Sequence, residues 1–275
     1  MENHKTEKEE DNKEEVITTR IPKLKPVSKL FTESWEEYKA KFKGFMSIYL
    51  EAIKDKTLVV MAAVLLFLLL VSALASYFLP GFAASVFRVA TILSAVVLAV
   101  YGGIYISTRA QIAIYFSCSG KTVDNKKSFS DSNKYFWGFF WLSLLVGLVV
   151  LLWALLFIIP GIIFGIFYSF VLYAFLFEDY NGWSAFKRSK ELVSGYWWPV
   201  IGRFAVIGLI SVAMQIPAMF IEDKSASANF YGVIISIVGL IIQPLFAVYG
   251  YKLYKELKAL KGESKVSRMA YIDKK

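Results

Sequence analysis

Histidine and cysteine each occur once, as His4 and Cys118. A single thiol excludes a disulfide framework within the chain, and one Cys with one His does not support a zinc centre. Charge is also scarce. Asp, Glu, Lys and Arg make up 19% of the 275 residues, against about 25% in an ordinary soluble domain. Residues 135–177 form a run of 43 with none of the four. G-x-S-x-G, H-E-x-x-H and P-loop signatures are absent, so the common hydrolase and nucleotide chemistries have no support. No metal, cofactor or catalytic residue is assigned, and no enzymatic activity is expected.

The apolar residues, 57% of the chain, fall in long blocks. As one helix the 135–177 run would reach roughly 65 Å, about twice a bilayer's hydrocarbon core. Pro160-Gly161 near its middle predicts a hairpin, with one span ending at Ile159 and the next starting at Ile162. The fold expected is all-α and polytopic, with six transmembrane helices arranged as three helical hairpins. Spans are expected at about 57–79, 83–108, 137–159, 162–177, 199–221 and 230–251. Arg88, Arg109 and Arg203 lie near span ends, where long side chains reach an interface. Residues 1–27 read as a charged, disordered tail and linker, 28–255 as the membrane domain and 256–275 as a basic tail. No cleavable signal peptide is visible before the first long apolar run at Thr57.

The formal net charge is +9. The cations flank the apolar blocks, which fits anionic lipid rather than nucleic acid. The approach to span one, the polar loop 120–134, the connector 178–198 and the C-terminal tail are all basic. Those four segments lie on one side, so both termini are expected in the cytoplasm of a prokaryote, with the chain in its plasma membrane. The expected partners are the lipid bilayer and other membrane proteins.

Two stretches look like amphipathic lead-in helices on that side. In the first, Phe31, Trp35, Tyr38, Phe42, Phe45 and Tyr49 share one helical face. That face can lie in the headgroup region or pack on the bundle itself. In the second, Asn181 suits an N-cap. Ala185, Phe186, Ser189, Leu192, Val193 and Tyr196 share a face, with Lys187, Arg188, Lys190 and Glu191 toward water. Glu178, Asp179, Arg188, Ser189 and Trp197 form the candidate interfacial motif, with Glu178 and Asp179 as cap and ion-pair site. A helix that simply returns the chain to lipid accounts for the same pattern.

Within the spans, Gln215 and Gln243 are the candidate intramembrane polar sites. Gln243-Pro244 interrupts the helical ladder of span six. Ala95, Ala99 and Gly103 in span two, and Gly161, Gly165 and Ser169 in span four, form small-residue stripes suited to close helix packing. Those spans are expected to pair. Phe78-Leu79-Pro80-Gly81-Phe82, Ile158-Ile159-Pro160-Gly161-Ile162 and Gln215-Ile216-Pro217-Ala218-Met219 close the odd spans alike. They suggest three parallel units of lead-in helix plus hairpin, although apolar spans resemble one another by composition alone.

From Pro160-Gly161 through Glu178-Asp179, Gly182, Ser184-Ala185, Arg188-Ser189, Leu192-Val193, Gly195 and Trp197 or Trp198, the chain resembles a widespread prokaryotic six-span integral membrane domain. That domain is also found fused to some glycerophosphodiester phosphodiesterases. The resemblance covers about residues 28–255, and its specific part is 160–198. In the fused proteins catalysis resides on a separate soluble domain. None is expected before Thr57 or after Tyr251, so hydrolase activity is not carried over. The function expected is a non-enzymatic scaffold or partner-assisting module. The alternative is a transporter of a small or lipid-like molecule, with a cavity between the hairpins near Gln215 or Gln243.

Overall fold

The computed structural model describes residues 24–79, 81–120, 125–216 and 226–272. The charged tail 1–19, Pro80, Pro217 and the 222–224 loop lie outside the described residues. The described elements are helices α1 (Val27–Ile53), α2 (Lys56–Phe78), α3 (Gly81–Ser119), α4 (Asn125–Leu156) and α5 (Ile158–Phe167). They continue as α6 (Val171–Glu178), α7 (Trp183–Val193), α8 (Trp197–Gln215) and α9 (Ala226–Ile272). Six apolar helical stretches among the described residues are long enough to cross a bilayer. The chain is an all-α polytopic membrane protein.

The buried core is not between the spans. In the most apolar windows of spans one and two only 6% of residues are buried, which leaves their flanks to lipid. The core gathers instead at the basic end, where α1, α7 and the span ends meet. Tyr38, Phe45 and Ile48 of α1 pack with Ala113 and Ile114 of α3 and Val248 of α9. Leu30 joins Phe170, Leu192, Leu253 and Leu257. Phe139, Val171, Ala174 and Phe186 join Ile112. The aromatic face of α1 therefore packs on the bundle, and of its six aromatics only Trp35 is exposed. Helix α1 starts at Val27 after Pro26, so Ser34 is an interior residue that donates to Leu30 O at 2.7 Å.

Several boundaries differ from those the sequence suggests. The third-to-fourth turn falls at Phe157, whose backbone is extended (φ −157°, ψ 133°), and α5 begins at Ile158. Pro160 is then in the first turn of the returning helix, where its missing N–H costs nothing. Residues 125–134 are helical, because Ser128, Phe129 and Ser132 bury one face. Helix α9 passes through the 255/256 boundary to Ile272, because Leu253, Leu257 and Leu260 continue its packed face. Span four is two helices, α5 and α6, rather than one.

Span two lies mainly against spans one and three, not span four. Ala95 is half-buried, while Ala99 and Gly103 are exposed. The close approach is at Gly102, where a Cβ would stand 2.6 Å from Met61 Cε. Gly161 meets span three instead; a Cβ there would stand 2.7 Å from Ala154 Cα. Gly165 faces Val150, and Ser169 donates to Ile166 O within its own segment.

Arg109 is buried in the protein rather than exposed at the span end. It is 6% exposed, with Nη1 2.5 Å from Asp55 Oδ2. Its Nε donates to Ser132 Oγ and its Nη2 to Phe129 O, at 3.2 and 2.9 Å. Asp55 also caps α2 by accepting from Thr57 N–H at 2.8 Å. One guanidinium thus joins the α1–α2 junction, α3 and α4. Removing one partner of a buried pair strands the other charge. Arg109→Leu is therefore expected to cost about 3–5 kcal/mol in detergent unfolding. The exposed Arg88→Leu should stay within about 0.5 kcal/mol of wild type.

Cys118 is 4% exposed, and burial pushes its thiol pKa up. The thiolate is the reactive form, so both effects protect it. In intact vesicles Cys118 should resist an impermeant maleimide from either side. A cysteine placed at exposed Lys187 in a Cys118→Ser background should label from the basic side alone.

Candidate functional site at the basic end

The site is built where span four breaks. Between α5 and α6, the carbonyl of Phe167 and the N–H of Phe170 lose their helical partners. Ser189 of α7 supplies both: its hydroxyl donates to Phe167 O at 2.7 Å and accepts from Phe170 N–H at 3.1 Å. Ser189 is fully buried, so no water is available to replace it.

Helix α6 ends on Asp179 in the left-handed region (φ 57°), and Tyr180 N–H returns to Ala174 O at 3.3 Å. Asp tolerates that conformation better than most residues. The cap of α7 is Gly182 rather than Asn181. Gly182 sits at φ 51°, ψ −131°, a region open essentially to glycine. Asn181 is instead closed into the turn by Ser184, which accepts from its N–H and donates to its carbonyl. The face of Ala185, Phe186, Ser189, Leu192 and Val193 is buried as its spacing implies, and Tyr196 closes it.

Glu178, just past span four, ties three helices together. Its Oε2 accepts from Arg188 Nε and Nη2 of α7 at 3.0 and 2.9 Å. Its Oε1 accepts from Tyr254 of α9 at 2.5 Å, and Lys258 lies 3.7 Å away. Burial alone would raise the Glu178 pKa. The hydrogen bonds from Tyr254 and Arg188 outweigh it and hold the carboxyl below its ordinary value. Asp179 is exposed and takes no part in this clamp. Trp197 is half-buried and Trp198 is 77% exposed. With Trp137, Trp141 and Trp183, also exposed, Trp198 forms an aromatic belt at this end.

The two glutamines are not brought together. Gln215 is exposed on the last residue of α8. Gln243 lies beside the Pro244 break, where Tyr49 Oη is 3.0 Å from its Oε1 and 3.1 Å from Leu240 O. Tyr38 donates to Ile241 O at 2.8 Å. The carbonyl that Pro244 leaves without an N–H donor is thus met by a tyrosine of α1, not by the amide.

Sequence reasoning missed Tyr254 and Lys258. The signal was present: Leu253, Leu257 and Leu260 keep helical spacing beyond span six, which places Tyr254 and Lys258 on a continuing helix. It placed Arg203 near an interface without its partner, and missed Glu256. Arg203 is 6% exposed and donates to the carbonyl of Lys25, whose N–H donates to Glu256. The backbone of one residue ahead of α1 is thereby held on both sides, by α8 and α9. Comparison with known protein families, curated proteins and solved structures gives no match.

A carboxylate with a lowered folded-state pKa stabilises above its unfolded value and loses that stability as pH falls through the folded value. Stability of the wild type in detergent should therefore drop below about pH 4. Glu178→Gln should be less stable at pH 7 and should show a shallower acid loss. Ser189→Ala leaves two buried backbone groups unpaired and should cost about 1–3 kcal/mol by denaturant titration.

Proposed function

We propose that the chain is a non-enzymatic scaffold or partner-assisting module of a prokaryotic plasma membrane, with its basic end in the cytoplasm. We also propose kinship with the six-span membrane domain that it resembles along 160–198. The observation that carries the reading is the position of the core. Packing, ion pairs and helix caps concentrate at the basic end, while the flanks of the spans stay uncovered. A rigid platform with exposed Lys187, Lys190 and Glu191 suits protein contact. The lysines and arginines of this end support the cytoplasmic orientation. Gln243 is engaged by Tyr49 and Gln215 stands apart from it, so the polar midplane cavity a transporter needs has no support from these two residues.

Pull-down of the full chain from native membranes should recover partner proteins. Lys187→Glu with Lys190→Glu should lose them without lowering the melting temperature. Reconstituted liposomes should show no saturable flux. Flux that disappears in Gln243→Leu overturns the scaffold reading in favour of a transporter.

A further inference from the structure

We propose that a groove between α3, α6 and α9 at the basic end holds the phosphate of an acidic phospholipid. It has a volume of about 410 Å3 and is lined by Ser119, Phe177, Tyr251, Tyr254, Lys255 and Lys258. That size suits a small ligand or headgroup. Phe177 is the last residue of the uncharged run, and Tyr251 closes span six, so the groove lies at the ends of spans four and six.

The lining is layered along α9. Tyr251 and Tyr254 form the lower part, and Lys255 and Lys258 stand above Tyr251 by about 6 and 10 Å at the rise of a helix. A phospholipid presents the same order, with acyl chains and then the glycerol esters, which accept hydrogen bonds, below and the phosphate above. The lysines also carry spare charge. Lys255 is exposed, and no ion pair holds it among the described residues. Lys258 is 45% exposed and 3.7 Å from Glu178, whose oxygens already accept from Arg188 and Tyr254. Glu178 and Glu191 contribute two negative charges against Arg188, Lys255 and Lys258, so the rim keeps a net positive charge. The site extends the scaffold reading by adding lipid as a specific partner, and rests on it for the membrane-facing role of the platform.

The test uses the full chain in detergent, titrated with short-chain phosphatidylglycerol, phosphatidylcholine or inorganic phosphate, with bound molecules counted by native mass spectrometry. One phosphatidylglycerol should be retained, and neither of the others should displace it. Lys255→Gln with Lys258→Gln should weaken retention roughly 30-fold. Lys29→Gln with Lys43→Gln, the same charge loss elsewhere on the platform, should not. Equal weakening in both double variants would reduce the effect to general attraction and overturn the site. Displacement by inorganic phosphate would overturn the lipid source. Retention seen only after deletion of residues 1–20 would assign the groove to the chain's own acidic tail, and that too overturns the proposal. Melting temperatures of both double variants should match wild type. Loss of lipid with partner capture intact sinks this site alone; loss of capture with lipid intact sinks the scaffold reading alone.

Discussion

A helix interrupted within a membrane span exposes peptide groups that hydrocarbon cannot satisfy. Among the described residues, two such interruptions lie inside a span: the break between α5 and α6, and Pro244, which removes one N–H from the otherwise continuous α9. Each is closed by hydroxyl groups from an amphipathic helix at the basic end. Ser189 of α7 serves the first and Tyr38 and Tyr49 of α1 serve the second. The remaining architecture depends on this arrangement. It fixes where α1 and α7 must lie, and their buried faces then gather the three hydrophobic clusters around them.

Charge works alongside these hydroxyls. Arg109 and Glu178 are each shared by three elements, and both lie at the basic end. Buried ion pairs add little net stability over apolar substitutes, because desolvation offsets most of the attraction. Their effect here is geometric. Arg109 can meet Asp55, Ser132 and Phe129 O together only when α2, α3 and α4 hold one relative register. Glu178 does the same for α6, α7 and α9.

The six spans were legible because an uncharged apolar run of about 20 residues, coiled as a helix, matches the thickness of a bilayer's hydrocarbon core. The buried face of α7 was legible from its spacing, down to Ser189. What stayed hidden depended on tertiary partners. Arg109 read as an interfacial cation because nothing in its own neighbourhood announces Asp55, 54 residues away. The start of α4 read as a loop because Ser128 and Ser132 look polar in sequence, although both are fully buried. The end of α9 read as a tail because its lysines obscured the leucine spacing. The turn at Phe157 was misplaced to Pro160 because proline marks both a helix's first turn and a break between helices.

The hydroxyl closures also set an order of assembly. The Phe167–Phe170 break waits for Ser189, only 19 to 22 residues later in synthesis. The Pro244 break differs: Tyr38 and Tyr49 are made early and stay without these acceptors until residues 191 to 203 positions downstream emerge. Helix α1 therefore cannot take its final seat while the ribosome is still building the intervening spans, and it is locked only when the sixth span arrives.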